Sequence, residues 1–165
     1  MQPPVAKVTK LARVGEPVLA VGKQGRIFSM LLDSRNVYFY FEGQVELWMF
    51  DASMAAADAA LASGQAFLHG DGEHWKSYAA EYRHRWTDWF GENRPRIAHV
   101  NLLIRSPILR MGVQVVNLFT QDVITPLADP NELYASLRRQ APGVDALVGS
   151  WPSDIAARMS PRRGA

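Results

Sequence analysis

The chain has 165 residues, 48% of them hydrophobic and 21% charged, so it has the size and composition of one globular domain and is neither disordered nor fibrous. It contains no cysteine, which excludes disulfides, thiolate catalysis, iron–sulfur clusters and cysteine-ligated zinc. A net charge of +2 does not indicate nucleic-acid binding, and no apolar stretch is long enough to predict a membrane-spanning helix.

Two further features of the composition bear on location and association. The N-terminal residues lack the basic-then-apolar order of a signal peptide, so we expect a cytoplasmic protein. Residues 37–75 contain six acidic side chains and no lysine or arginine, whereas residues 1–36 contain six lysines and arginines against two acids and residues 76–110 seven against three. Such blocks pair within one fold, meet across a dimer, or are simply solvated.

The first predicted elements are an arm and a β-hairpin. Residues 1–25 are interrupted by prolines and glycines, which predicts an arm with at most one short strand. Apolar runs at 27–32 and 37–45 flank Asp33-Ser34-Arg35-Asn36, whose residues favour a turn, so these runs predict a hairpin. Both faces of Tyr38-Phe39-Tyr40-Phe41 are apolar, which indicates a strand in a sheet that is covered on both sides.

Helices and strands then alternate. An alanine-rich helix is predicted over about 45–62, followed by a short strand over 65–69 with an exit loop at 70–73. A helix rich in tryptophan and tyrosine follows over 75–90. The remaining predicted elements are a strand over 97–104, a helix over 108–120, a strand over 123–127 and a helix to about 140.

The helix over 108–120 is expected to be buried except for one polar stripe of Arg110, Gln114 and Asn117. The whole order, β-β-α-β-α-β-α-β-α, predicts an α/β domain over residues 26–140, with a small, mixed, mostly parallel sheet, an N-terminal β-hairpin and about four helices. Residues 141–165 form a tail rich in proline, glycine and arginine that is expected to be partly disordered.

Four segments of the chain are similar to a known family. They are Phe41-Glu42-Gly43-Gln44-Val45, Ile97-Ala98-His99-Val100, Met111-Gly112-Val113, and residues 123–127 with Asp129. With the order of elements, they make residues 26–140 resemble a STAS-type domain of the SpoIIAA-like group of anti-sigma-factor antagonists. The resemblance implies a non-enzymatic regulatory or scaffold module, often switched by phosphorylation of a serine, for which Ser77 is the nearest position.

One candidate site follows the predicted strand over 65–69. His69, Asp71, Glu73 and His74 place two imidazoles and two carboxylates within six residues, which would suit a divalent metal or acid–base chemistry. The spacing matches no established metal motif, so these residues also fit a glycine-rich turn beside a helix N-terminus. We expect no metal and no cofactor here, and regard the group, with Ser77, as a candidate regulatory or ligand loop.

Two more candidate sites lie further along the chain. Arg105, Ser106 and Arg110 could hold an anion at a helix start, although helix capping also explains Ser106. Helical spacing predicts five aromatic residues on one face of the helix over 75–90: Trp75, Tyr78, Tyr82, Trp86 and Trp89. That face would be core, a protein interface, or the wall of an apolar pocket.

No nucleophile–base pair or phosphate-binding loop is recognisable, so the sequence does not predict an enzyme. The leading hypothesis is a cytoplasmic interaction module that acts through protein partners, without nucleic acid or a membrane span, and that forms homodimers. A second hypothesis is a domain that binds a small apolar or anionic molecule. A metal-dependent or hydrolytic enzyme using residues 69–74 is the third.

Overall fold

Residues 11–160 are the part of the chain that the computed structural model describes, and one sheet runs through the middle of it. Its strands are Pro17–Val21 (β1), Gly25–Leu31 (β2), Asn36–Val45 (β3), Ala66–Tyr78 (β4), Ile97–Ile104 (β5) and Ile124–Leu127 (β6). The helices are Trp48–Ser53 (α1), Ala55–Ala62 (α2), Ala80–Asn93 (α3), Pro107–Thr120 (α4), Pro130–Gln140 (α5) and Ser153–Ala156 (α6). Short 3-10 turns follow α3, connect α5 to α6, and follow α6.

The strands lie side by side in chain order. The β1–β2 and β2–β3 pairs are antiparallel, and the three later pairs, from β3 to β6, are parallel. The predicted α/β fold with an N-terminal hairpin and a mostly parallel sheet is thereby confirmed. Asp33 builds the hairpin turn, because its Oδ1 accepts hydrogen bonds from the backbone N–H groups of Arg35 and Asn36 at 2.9 and 2.7 Å.

Both faces of the sheet are covered, because alternate residues of β3 belong to two different apolar clusters. Phe39 and Phe41 pack with residues of α1 to α4 on one face. Tyr38 and Tyr40 pack with α5 and residues 141–159 on the other face. The double coverage explains why β3 is apolar at successive positions, as expected for a strand in the interior of a sheet.

Strand β4 is much longer than the sequence predicted. Residues 70–73 were expected to be an exit loop and Trp75 to begin a helix, but β4 continues to Tyr78 and α3 begins at Ala80. The glycines in this segment reflect close packing and not a turn. A Cβ at Gly70 would lie 2.6 Å from Leu102 Cδ1, and one at Gly72 would lie 2.8 Å from the Leu103 carbonyl oxygen.

The C-terminal segment differs from the expected partly disordered tail over the residues that the structure describes. Residues 141–160 pack on the sheet, and the buried side chains there are Ala141, Val144, Trp151, Ile155 and Met159. The Trp151 indole stacks on the Tyr38 ring with centroids 4.4 Å apart, and its Nε1–H donates to Met30 Sδ at 3.1 Å. This segment is needed because β2 and β3 present large apolar side chains that α5 alone does not cover. Residues 1–10 of the expected arm and 161–165 of the expected tail lie outside the described part.

Helix α4 is far more exposed than predicted. A row of five apolar side chains runs along one side of it, of which Val115 is half-buried and the other four are exposed: Ile108, Met111, Leu118 and Phe119. We call this row the α4 stripe. Leu118 is 83% exposed and Phe119 72%. The physical reason is that the sheet and α3 contact one side of α4 and leave the opposite side uncovered.

Candidate functional site

A buried ionic network lies on the α5 side of β4. Asp71 is fully buried. The Arg158 guanidinium donates two hydrogen bonds to its carboxylate, from Nε to Oδ2 at 2.5 Å and from Nη2 to Oδ1 at 3.0 Å. The Tyr134 hydroxyl also donates to Asp71 Oδ2, and it lies 2.9 Å from the Tyr38 hydroxyl. Arg158 lies in the last turn of the described chain. Because it is so far from residues 69–74 in sequence, its contact with them could not be predicted from the pattern there.

Glu73 is the second carboxylate of this network, and its side chain is only 4% exposed. Arg158 Nη2 also bonds Glu73 Oε2, and Arg105 Nη2 lies 2.9 Å from Glu73 Oε1. His74 Nε2 lies 3.1 Å from Arg158 Nη1. The structure therefore brings Asp71, Glu73 and His74 together as the sequence suggested, but around an arginine.

The charges in this network balance. Within residues 11–160, two carboxylates face two guanidiniums, and a buried ion pair is tolerated only when its hydrogen bonds are largely complete. Burial alone disfavours the charged form of Arg158, but hydrogen bonds and attraction from Asp71 and Glu73 outweigh it and hold the Arg158 pKa above its usual value. Burial, with Tyr134 and Asp71 nearby, raises the pKa of the Tyr38 hydroxyl well above 10. Within residues 11–160, no group of three His, Cys, Asp or Glu side chains is placed to hold a metal ion.

His69 belongs to the same strand but to a different environment. Its Nε2 lies 3.0 Å from Asn36 Oδ1, and its buried Nδ1 has no partner among the described residues. Burial, and secondarily the charge of His99, lowers the His69 pKa from 6.5 to about 4. The His69 imidazole is therefore neutral near pH 7 and has a structural role in the core.

This placement of His69 predicts an acid-sensitive fold. Because the folded-state pKa is about 4 and the unfolded value is 6.5, the unfolded chain takes up the proton first as the pH falls. Stability is therefore full above pH 6.5 and falls by about 2–3 kcal/mol as the pH approaches 4. Urea unfolding at pH 7, 5.5 and 4.5 measures this loss of stability. The loss between pH 7 and 4.5 should be about 2–3 kcal/mol smaller in His69→Gln and unchanged in His84→Gln, because His84 is exposed. Equal pH dependence in His69→Gln and the wild type would contradict it.

The candidate anion site is not assembled around one point. Arg105 turns towards Glu73, and Arg110 Nη2 donates to the Ile104 carbonyl oxygen at 3.4 Å. Ser106 is the N-cap of α4, but its side chain makes no cap hydrogen bond. The two arginines thus serve contacts within the protein, and the geometry does not favour an anion there.

The five aromatic residues lie in the layer between the sheet and α3, although Trp75 and Tyr78 stand on β4 and not on the helix. Trp75 stacks on Phe41 with centroids 4.4 Å apart, and Trp89 Nε1–H donates to Asp58 Oδ1 at 3.2 Å. Tyr82 is 1% exposed. These rings are core and pocket wall, so an exposed interface on this face is not what the structure has. Ser77, the candidate regulatory serine, lies near the end of β4, where its carbonyl accepts from Trp75 Nε1 at 3.1 Å.

The α4 stripe is a surface feature that the sequence analysis does not predict. The signal was present in the spacing of Ile108, Met111, Val115 and Leu118, which follow one another at intervals of three, four and three residues. That spacing is typical of a seam between two helices. Local sequence alone predicts a core position for such a stripe, because nothing local distinguishes a buried apolar stripe from one that is covered by a partner.

Comparisons of this chain with protein families, curated proteins and solved structures found no match. The similarity to STAS domains accordingly stays a prediction. No helix within residues 11–160 is long and apolar enough to cross a membrane.

Proposed function

We propose that this protein is a non-enzymatic, cytoplasmic interaction module that forms a homodimer through the α4 stripe. The observation that carries the proposal is the exposure of four large apolar side chains on one helix: Ile108 and Met111 at 65% each, Leu118 at 83% and Phe119 at 72%. Single exposed apolar residues are ordinary, but a contiguous row of them on a folded surface marks an interaction site.

The geometry of the stripe supports a second helix as its partner. The intervals of three, four and three residues place Ile108, Met111, Val115 and Leu118 along one seam, the arrangement with which helices pack on each other. A two-fold axis through the middle of α4 would lay the stripe of one copy against the same stripe of the other. Such a contact buries identical surfaces on both subunits and closes the assembly at two copies.

The surroundings of the stripe also suit a protein interface. Arg110 and Gln114 are exposed beside it, and the Arg110 guanidinium is held by the Ile104 carbonyl oxygen. An apolar centre with a polar rim is the usual anatomy of such surfaces. A regulatory role and kinship with STAS domains are part of the proposal and rest on the order of the elements.

Replacing Leu118 with glutamate tests the proposal. The substitution places a charge at the most exposed stripe residue, where the monomer tolerates it but a dimer would bury it. We expect the wild type to sediment as a dimer at micromolar concentration and Leu118→Glu to weaken the dimer at least about 30-fold. Sedimentation equilibrium over a range of concentrations measures both.

Leu19→Glu is the matched control, because Leu19 is an exposed apolar residue on the edge strand β1. It should leave the dimer intact. A wild type that stays monomeric at 100 times that concentration would overturn the proposal. So would a dimer that Leu19→Glu dissociates and Leu118→Glu does not, because the interface would then be the free edge of the sheet.

A further inference from the structure

The two edges of the sheet differ in whether a further strand can pair with them. At the β6 edge, Asn117 Nδ2 donates to the Ile124 carbonyl oxygen at 2.9 Å, and Asn117 Oδ1 accepts from the Ile124 N–H at 3.0 Å. Pro126 lies two residues further along the same side of β6 and has no N–H to donate. Asn117 and Pro126 therefore block this edge, as side chains and prolines commonly do in native sheets.

Strand β1 forms the other edge, and its outer side has no partner among residues 11–160. The Gly22 N–H donates to the Gly25 carbonyl oxygen at 2.9 Å, so these two glycines are a hydrogen-bonded pair where β1 turns into β2. Because such pairs alternate along antiparallel strands, Ala20 bonds to β2, whereas Leu19 and Val21 point their N–H and C=O groups away from β2. The β1 edge thus offers unpaired backbone donors and acceptors at the spacing of a strand.

Exposed apolar side chains surround this edge. Within the described residues, the large apolar side chains that are exposed fall into two groups, one of which belongs to the α4 stripe. We call the other group the β1 patch, and its members are Leu11, Val14, Leu19, Val21, Leu47 and Trp48. The Gly15 N–H bonds the Leu31 carbonyl oxygen at 2.8 Å, which holds the first two members at the start of β1. The Lys23 N–H lies 3.3 Å from Glu46 Oε2, which brings the last two members to its end.

We infer that the β1 edge binds an extended segment of a partner protein, which adds to the sheet as an antiparallel strand beside β1. A row of unpaired N–H and C=O groups along a strand is matched by another extended backbone, and antiparallel pairing is the more stable kind. The side chains of Leu19 and Val21 lie on one face of β1 and are 49% and 62% exposed, so the segment would place apolar side chains at alternate positions against them. This surface is separate from the α4 stripe, because α4 packs on α3 and on β6, at the opposite edge.

A flexible segment suits this edge better than a second copy of the chain. Strand β1 has five residues, which is about 17 Å of extended backbone. Two folded copies joined along so short an edge would bury less than the roughly 1,000 Å² that a stable interface between folded proteins needs. Such pairing would also join homodimers formed through α4 into larger assemblies. A segment that is extended when bound follows the edge and also packs on the β1 patch.

A short acetylated peptide of alternating valine and threonine is the probe, and amide NMR of the ¹⁵N-labelled full chain is the measurement. In an antiparallel pair, the peptide residues opposite Leu19 and Val21 share their face and direct their own N–H groups towards β1. Valines at those positions therefore donate to β1, whereas the threonine N–H groups point to solvent. We expect saturable shifts of the Leu19 and Val21 amide signals with a Kd below about 1 mM. N-methylation of the valines should weaken binding at least about tenfold, and N-methylation of the threonines less than about twofold.

Two variants of the chain complete the test. Leu19→Pro removes an outward N–H without removing a hydrogen bond to β2, so the variant should fold and should bind the unmethylated peptide at least about tenfold more weakly. Leu118→Glu changes the α4 stripe and should leave peptide binding unchanged, whether or not the chain forms a homodimer. If Leu19→Pro does not fold, the comparison of the two N-methylated peptides on the wild type decides.

Five results would overturn the inference. They are no saturable shift at Leu19 and Val21, any effect of N-methylation other than a loss confined to the valines, undiminished binding by folded Leu19→Pro, dissociation of the homodimer by Leu19→Pro, and tighter binding of a peptide with the sequence of residues 1–10. The fourth result would make a second copy the occupant of this edge, and the fifth would make it the N-terminal segment of this chain.

Discussion

Arg158→Ala is expected to destabilise the fold by about 3–5 kcal/mol. The substitution leaves Asp71, which is fully buried, without the guanidinium that bonds both of its oxygens, and it also removes one of the contacts of Glu73. A buried carboxylate without its partner is among the most destabilising defects known in proteins, because neither water nor a counterion replaces the lost contact. Urea unfolding at pH 7, followed by tryptophan fluorescence, measures the loss.

The control for Arg158 is another ion pair with a different environment. Arg85 pairs with Asp51, but the two side chains are 45% and 69% exposed. Arg85→Ala should therefore cost less than about 1 kcal/mol. If both arginine variants lose the same free energy, burial is not what makes the Arg158 network important.

A double variant separates charge from packing in the Arg158 network. Asp71→Asn removes one of the two carboxylates, so Arg158→Ala combined with Asp71→Asn should be more stable than Arg158→Ala alone. If Arg158 acted only by packing its stem over the Tyr40 ring, which its guanidinium carbon approaches to 5.7 Å, the second substitution would cost further stability.

Trp151→Ala is expected to cost about 3–5 kcal/mol and to loosen the whole C-terminal segment. The indole is 5% exposed, stacks on Tyr38 and lies 5.7 Å from the Phe28 ring. Its removal leaves a cavity between β2, β3 and the last described turns. Thermal unfolding measures the loss, and hydrogen exchange should show lost protection over residues 144–159.

Trp48→Ala is the matched control, because Trp48 begins α1 and is 49% exposed. Trp48→Ala should lower the free energy of unfolding by less than about 1 kcal/mol and should leave the exchange protection of residues 144–159 unchanged. A Trp151→Ala protein as stable as Trp48→Ala would mean that the C-terminal segment contributes little to the fold.

The C-terminal segment links these two predictions. Trp151 packs it on the sheet, and Arg158 then closes over Asp71 and Glu73 in the middle of β4, level with the carboxyl end of β5. The carboxyl ends of parallel strands are where open α/β sheets usually leave a ligand crevice. In this protein, residues 153–160 occupy that edge near β4 and satisfy its carboxylates internally.

Several structural features could be predicted from local sequence alone. The Asp33–Asn36 turn, the doubly apolar strand around Phe39, and the cap of α5, where Asp129 accepts from the Asn131 N–H at 2.9 Å, all depend on residues close together in the chain. Local hydrogen bonding and side-chain periodicity determine such elements, so the order of strands and helices could largely be predicted from the sequence. The end of β4 could not be predicted in this way, because Gly70 and Gly72 favour a turn locally, whereas in the fold they allow the close approach of β5.

By itself, then, the sequence determined a cysteine-free α/β domain with an N-terminal hairpin and parallel crossovers, and it placed Asp71, Glu73 and His74 in one cluster. Only the tertiary structure decided what those groups do. Arg158 reaches Asp71 across 87 residues of chain, and α4 shows its apolar stripe outward because the sheet and α3 contact only its other side. Periodicity reports that a stripe is apolar and spacing reports that charges are near each other. Contacts between residues distant in sequence decide which surface covers an apolar stripe and which charged groups pair with each other.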